Sequence, residues 1–216
     1  MRRHLRKIML NLTLLAAFIP TFMFVSFTPG MCMTLAMTLG ITIGVKRTLW
    51  MMFGELIGVG LIAAAAVLGV AALLLAAPWV FTTFRWLGGA YLVWLGLQMW
   101  RSRGKMAIPE DLSGAGSAIS RRALFSQGFI TAIANPKGWA FFMVLLPPFL
   151  DQSLAMAPQL SALIAIILLI ELCALLIYAL GGATLNRLLQ KSSNVRLLNR
   201  IAGTLMLAVG VWLALG

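Results

Sequence analysis

Charged residues are scarce in this sequence. Only 10% of its 216 residues are Asp, Glu, Lys or Arg, whereas 62% are apolar. In a soluble domain roughly a quarter of all residues are charged, and they cover its surface, so this composition excludes an ordinary soluble protein. The apolar residues form long runs, which are typical of segments that cross a lipid bilayer. We therefore expect an integral membrane protein.

Acidic residues are the rarer charged class. Five Asp and Glu stand against 17 Lys and Arg, which gives a formal net charge of +12. In a soluble protein such an excess would indicate nucleic-acid binding, but here the cations lie between apolar runs. That placement is typical of the cytoplasmic loops of membrane proteins. The sequence thus predicts the lipid bilayer, and no nucleic acid, as a partner.

Histidine and cysteine are too few for the common catalytic and metal sites. The single histidine, His4, lies in a basic tail, and the two cysteines, Cys32 and Cys173, lie in separate apolar runs. No histidine is therefore left inside the membrane for a histidine-dependent hydrolase, and no cluster of metal ligands is present. We expect no enzymatic activity, no cofactor and no metal site.

Six apolar segments are long enough to cross the membrane as α-helices, which need about 20 residues each. They lack the alternation of a barrel strand, so the predicted fold is an all-α membrane bundle. The first and fourth segments are interrupted by Thr28-Pro29-Gly30, the first break, and by Asn135-Pro136-Lys137, the second break. The six segments are 8–45, 49–77, 79–100, 123–150, about 154–180 and about 198–215.

A polar stretch, residues 101–122, divides the single transmembrane domain, 1–216, into two halves of three segments, 8–100 and 123–216. Its Ser/Gly-rich centre is typical of a linker. Each half opens with a broken segment, as expected of a transporter built from an inverted repeat.

The positions of the cations predict the topology. Most Lys and Arg lie in three connections, near residues 46–47, in 101–122 and in 187–200, which we expect to be cytoplasmic. Six plain crossings would place the basic tail, residues 1–7, on the outside. A first segment that turns back at Pro29 would keep the tail inside. We expect the first arrangement, in a multi-pass protein of the cytoplasmic (inner) membrane.

The two breaks are the candidate substrate site. Backbone groups that a break exposes inside a bilayer need partners from the protein, from water or from a ligand. Pro29 lacks an amide donor, and Asn135 can cap a new helix that starts at Pro136. Helix N-termini attract carboxylates, and Lys137 adds a cation. We expect the breaks to meet near the membrane middle; simple kinks, with Lys137 reaching to an interface, are the alternative. The predicted substrate-binding residues are Thr28, Pro29, Gly30, Asn135, Pro136 and Lys137.

Two acidic residues, Glu55 and Glu171, lie inside the second and fifth segments. A charge at the bilayer centre costs about 2.5–3.5 kcal/mol on insertion scales, so such residues usually face a polar cavity or a partner. We expect them to contact a substrate ammonium group or to carry a proton. Glu171 is preferred as proton carrier because it lies deeper in its segment. A purely structural hydrogen bond is the alternative.

Glycine spacings indicate close helix contacts. Gly40-x-x-x-Gly44 and Gly54-x-x-x-Gly58 place small residues one turn apart, a pattern that permits tight packing within the chain or in a homo-oligomer.

These motifs resemble those of the LysE/RhtB family of amino-acid exporters, which includes lysine exporters and homoserine-threonine efflux proteins. The sequence departs from the family pattern at Met31 and Cys32, where proline and asparagine are usual, and at Val59, where an acidic residue often stands. The matching residues are 28–30, Gly40, Gly44, Gly54, Gly58, 86–96, 125–128, 134–138, Phe141 and 147–151.

The resemblance implies a secondary transporter that exports amino acids or close derivatives and is driven by the proton gradient. From the residues alone, two alternatives remain: efflux of metal ions or other small solutes, and a membrane scaffold that transports nothing. An exporter should contain a polar cavity that joins the breaks to Glu55 or Glu171, whereas a scaffold can be packed solid there.

Overall fold

The computed structural model describes residues 12–76, 78–101, 119–146, 149–151 and 154–215. Within these ranges the regular structure is helical, which confirms the all-α fold. The basic tail with His4, most of the 101–122 linker and Pro147-Pro148 lie outside the described residues. The helices are α1 Leu12–Phe27, α2 Met31–Ile43, α3 Val45–Ala76, α4 Pro78–Arg101, α5 Arg121–Ile133, α6 Pro136–Leu145, α7 Met156–Gln190 and α8 Ser192–Leu215.

The helices are interrupted at both predicted breaks. The chain bends by 56° between α1 and α2, and Gly30 is extended there, with φ −146° and ψ −175°. Proline cannot donate the amide that would continue α1, so a new helix starts after Gly30. In the second break, the Asn135 side chain caps α6 by accepting from the amide of Lys137 at 3.1 Å.

Two connections differ from the predicted loops. Gly44 alone separates α2 from α3, with a φ of 80° that favours glycine, so Lys46 and Arg47 belong to the first turn of α3. Helix α7 continues through a kink at Gly182 to Gln190, and α8 begins at Ser192. Lys and Arg are good helix formers, so cations that mark membrane ends need not mark the ends of helices.

Two described helical stretches are long and apolar enough to cross a membrane by themselves: Val45–Gly69, with 25 residues, and Met156–Gly182, with 27 residues. The bent pair Leu14–Phe27 and Met31–Ile43 makes a third if it forms one span. The six crossings and the inverted repeat stay predictions.

Helices α3 and α5 touch backbone to backbone. A Cβ atom on Gly54 would overlap the carbonyl of Phe125, and one on Gly128 would overlap the carbonyl of Met51. Only glycine allows this approach, so the glycine spacing predicted for close packing is used within the chain. The contact holds Glu55, which follows Gly54, beside the helix that ends at the second break.

The other long helices pack in the same way. Gly40 of α2 lies against the carbonyl of Ala179 in α7, and Gly96 of α4 faces Gly203 of α8. Two apolar clusters fill the bundle, one containing Phe22 and the other Met33, and residues of both border the cavity described next.

Candidate functional site

A cavity with polar side chains in its wall lies where the two helix breaks meet. The volume within which the centre of a water molecule can lie is about 50 Å³. One water needs roughly 10–15 Å³ of such volume. In this conformation the cavity therefore accommodates a few waters. Pro29 and Pro136 stand at the breaks themselves. The wall includes the other six predicted site residues, Thr28, Gly30, Asn135, Lys137, Glu55 and Glu171.

Lys137 joins the two breaks. Its Nζ atom donates to the carbonyl of Val25 at 2.8 Å and to that of Thr28 at 3.5 Å. These carbonyls lie at the C-terminal end of α1, where the helix dipole is negative. That of Val25 also accepts from the amide of Thr28 at 3.3 Å. Lys137 is therefore hydrogen-bonded at the first break. The alternative prediction was that both breaks are simple kinks and that the Lys137 side chain reaches to a membrane interface.

Other side chains donate to two further carbonyls at the end of α1. The Thr28 hydroxyl donates to the carbonyl of Phe24 at 2.7 Å, and the Tyr178 hydroxyl of α7 donates to that of Phe27 at 2.8 Å. Sequence reasoning missed Tyr178. One feature of the sequence could have identified it: a tyrosine inside an apolar run brings a buried hydroxyl, and a buried hydroxyl needs a hydrogen-bond partner.

The start of α2 is left open toward the cavity. Its N-cap residue, Gly30, has no side chain to accept from the first amides, and Gly30, Cys32 and Met33 border the cavity. The first amides of a helix have no intrahelical acceptor and carry the positive end of the dipole. A carboxylate in the cavity would therefore meet a helix N-terminus as well as Lys137.

Glu171 is held by a serine. The Ser26 hydroxyl donates to Oε2 of Glu171 at 2.6 Å, and both side chains are buried. Ser26 was also missed by sequence reasoning, although it lies only two residues before the first break. This bond ties α7 to the last turn of α1.

Glu55 is fully buried, with 0% exposure, and neither of its carboxyl oxygens has a hydrogen-bond partner among the described residues. It shares the cavity with Glu171 and Lys137. Of the described residues that line the cavity, Lys137 is the single basic one, so it can balance only one carboxylate.

Cys32 links α2 to the second break. The Asn135 amide donates weakly to its Sγ atom at 3.8 Å. Cys32 is buried and stands on the cavity wall, whereas Cys173 is exposed. Cys32 and Cys173 are both free thiols.

The rest of the cavity wall is apolar and was not predicted from the sequence. It is made largely by aromatic and branched side chains of α1, α3 and α6. Phe22 packs on Phe141 with 5.2 Å between ring centroids, and Phe141 packs on Phe142 at 5.6 Å. Polar groups and an apolar wall together suit a small molecule that has both charged groups and an apolar part. The apolar wall consists mainly of Phe22, Val25, Val59, Ile62, Phe141 and Phe142.

Long apolar helices around a cavity that is lined by a lysine and two carboxyls are typical of membrane transporters. This protein is of that class, and more narrowly it belongs to the LysE type translocator family, whose sequence profile matches residues 23–216. The predicted resemblance is confirmed.

Individual relatives align over much of the chain. It is 26% identical to a homoserine/homoserine lactone efflux protein of Salmonella typhimurium, over 92% of this chain and 94% of the relative. It is 27% identical to an uncharacterized membrane protein of Vibrio cholerae, over 92% of this chain and 95% of the relative. A leucine efflux protein of Enterobacter sp. is 30% identical over 60% of each chain. No solved structure matches the chain significantly.

Proposed function

We propose that this protein is a secondary transporter that exports an amino acid or a close derivative across the cytoplasmic membrane. The cavity where the two breaks meet carries the proposal. Burying a lysine and two carboxyls in an apolar bundle is costly, and such groups are typical of sites that bind a charged substrate. A scaffold would be more stable with an apolar, solidly packed centre. The relatives named as homoserine and leucine efflux proteins support this substrate class.

In this proposal the substrate carboxylate binds between the starts of two helices. The amides at the start of α2 and the ammonium of Lys137 face it, and Asn135 fixes the start of α6. Because the cavity offers room for only a few waters, substrate entry requires the surrounding helices to separate, as alternating access does. The residues assigned to binding are Thr28, Pro29, Gly30, Asn135, Pro136 and Lys137.

We propose six crossings in two inverted halves. The 56° bend between α1 and α2 is far from the reversal that a re-entrant hairpin needs, which favours one broken crossing with the basic tail outside. Arg47 donates to the carbonyl of Ile119, and the guanidinium of Arg121 lies 5.5 Å from the Trp50 ring centroid. In the six-crossing arrangement these contacts fall at the cytoplasmic end.

Export against a gradient needs an energy source, and we propose the proton gradient across the membrane. Glu55 and Glu171 are the candidate proton carriers because both border the cavity in which the substrate binds. A carboxyl that faces the substrate can link the uptake of a proton to the release of the substrate.

Transport by the purified full-length chain in liposomes tests the proposal. With a pH gradient imposed, we expect accumulation of at least one member of a panel of labelled amino acids that includes leucine, homoserine and lysine. Lys137→Ala, reconstituted to the same protein density, is the matched variant and should lose most of this flux. Flux of zinc or manganese ions alone, or no flux above protein-free liposomes, would overturn the proposal.

A further inference from the structure

Glu55 differs from the other polar side chains around the cavity. Lys137 bonds to the carbonyls of Val25 and Thr28, and Glu171 accepts from Ser26. Both oxygens of Glu55 lack a partner among the described residues, although the side chain is completely buried. A buried carboxyl without hydrogen bonds or a counter-charge is unfavourable, so this position needs either a proton or a cationic ligand.

The balance of charges around the cavity also indicates that a positive group binds at Glu55. The titratable groups that share it with Glu55 come from three other helices: Cys32 of α2, Lys137 of α6 and Glu171 of α7. Two carboxylates against one ammonium leave one negative charge unbalanced. Because Glu171 already has a hydroxyl donor, the place left for an additional positive group lies at Glu55.

The position of Glu55 is fixed by the backbone. It follows Gly54, whose contact with the carbonyl of Phe125 holds α3 directly against α5. On α3, Val59 and Ile62 lie four and seven residues after Glu55, so the three side chains share one face of the helix, and all three border the cavity. A ligand with an ammonium group at Glu55 would therefore lay an apolar part along Val59 and Ile62.

We propose that Glu55 is the group at which the ammonium of the exported amino acid and a proton alternate. This inference rests on the proposed function, and it assigns to Glu55 the coupling role for which the sequence favoured Glu171. Lys137 and the helix starts hold the carboxylate of the same substrate, and the apolar wall accommodates an uncharged side chain.

The exchange changes no bond of the substrate. When the cavity opens to the cytoplasm, the O–H bond of the Glu55 carboxyl breaks, its proton passes to cytoplasmic water, and the substrate ammonium pairs with the carboxylate. When the cavity opens outward, the carboxylate takes a proton from external water and the ammonium leaves. One proton thus moves inward for each substrate molecule exported.

Proton release on binding tests this assignment in the purified full-length protein. Leucine is the probe, or homoserine if it gives the larger flux in liposomes. Its 2-hydroxy analogue keeps the carboxylate and side chain but lacks the ammonium group. In weak buffer with a pH indicator, we expect about one proton released per leucine bound and none with the analogue. Leucine should also bind about tenfold or more tightly than the analogue, the value of a hydrogen bond between charged groups.

Two variants separate the carboxyls. Glu55→Gln should abolish proton release and bring the affinities for leucine and its analogue close together. Glu171→Gln, whatever its effect on affinity or flux, should still release about one proton for each leucine bound. Proton release that persists in Glu55→Gln, or that is lost only in Glu171→Gln, would overturn the assignment. A parent protein that binds and transports no amino acid of the panel would overturn the proposed function itself.

A third variant covers the case in which Glu55→Gln does not fold, as judged by size-exclusion chromatography. Glu55→Asp keeps the acid but withdraws it by one methylene, so proton release should persist with a shifted pH midpoint. A folded Glu55→Asp protein with the midpoint of the parent would contradict the proposal.

Discussion

Lys137 shows how one side chain can stabilise a helix break inside a membrane. Proline removes the continuation of α1, and the carbonyls left at its end would be costly in a bilayer without donors. The ammonium of Lys137 supplies donors to two of them, and the Tyr178 hydroxyl supplies one to a third. The first break thus depends on side chains that follow it by more than 100 residues.

Replacing Lys137 should lower export per folded molecule, in addition to any loss of folded protein that follows when the carbonyls of Val25 and Thr28 lose this donor. Lys137→Ala removes the cation that we assign to the substrate carboxylate, and we expect export per folded molecule to fall by about tenfold or more, since hydrogen bonds to charged groups are worth about 1.5–3 kcal/mol. Labelled export is normalised to the amount of protein in the membrane. Lys191→Ala, at an exposed cation between α7 and α8, is the control and should export normally. Equal export by Lys137→Ala would remove Lys137 from the substrate site.

The Tyr178 hydroxyl should contribute to stability. Tyr178→Phe leaves the carbonyl of Phe27 without that donor, so we expect a loss of about 1–3 kcal/mol, the cost of an unsatisfied buried polar group. The measurement is the thermal unfolding midpoint in detergent. The other tyrosine, Tyr91, is 37% exposed, and Tyr91→Phe should leave the midpoint unchanged. Equal midpoints for the two variants would count against a role for the Tyr178 bond.

At the scale of helices, glycine contacts determine where the polar side chains stand. Gly54 and Gly128 bring α3 and α5 into backbone contact, and Gly40 brings α2 against α7. Glu55 lies one residue from such a contact. A shift of either helix by the width of a methyl group would therefore move a cavity residue.

Gly54→Ala should destabilise the fold strongly. Its methyl group would overlap the carbonyl of Phe125, and overpacking of this kind costs about 1–3 kcal/mol or more. Gly69 lies on the same helix, and a methyl group there would meet no atom of the described residues within 4 Å beyond its own turn of the helix. Gly69→Ala should therefore be neutral or stabilising by up to about 1 kcal/mol, the helix propensity of alanine over glycine. Thermal unfolding and membrane protein level compare the pair. A Gly54→Ala chain as stable as the Gly69→Ala chain would show that α3 and α5 can separate without cost.

At the scale of the whole molecule, the cations near the helix ends are the basis of the proposed orientation. Arg200 lies 5.3 Å from the Trp100 ring centroid, and Arg121 lies over the Trp50 ring, so two cations from different parts of the chain stack on tryptophans. Tryptophan is enriched at membrane interfaces, and cations are enriched on the cytoplasmic side.

Cysteine labelling can test this orientation. In a chain with Cys32 and Cys173 replaced by alanine, Ala155→Cys should react with a membrane-impermeant thiol reagent in intact cells. Lys191→Cys should react only after the cells are made permeable. Both positions are exposed and lie at opposite ends of α7. Labelling of Lys191→Cys in intact cells would reverse the proposed topology.

Local chemistry allowed the sequence to predict the helices and their breaks. Composition and long apolar runs indicate membrane helices. The breaks could be placed at Pro29, which lacks an amide donor, and at Asn135-Pro136, where asparagine can cap a new helix and proline can start it. Glu55, Glu171 and Lys137 could be selected as candidates because charge in an apolar segment is rare and costly. None of these arguments needs a contact between distant residues.

The partners of these residues were decided only by the tertiary structure. Ser26 meets Glu171 across 145 residues, and Lys137 meets Val25 across 112. Such pairs depend on which glycines allow two helices to touch, and spacing alone does not name the partner helix. For the same reason the sequence favoured the deeper carboxyl, Glu171, as proton carrier. Depth in a segment follows from sequence, but the lack of a donor beside Glu55 among the described residues follows from how α3 packs against its neighbours.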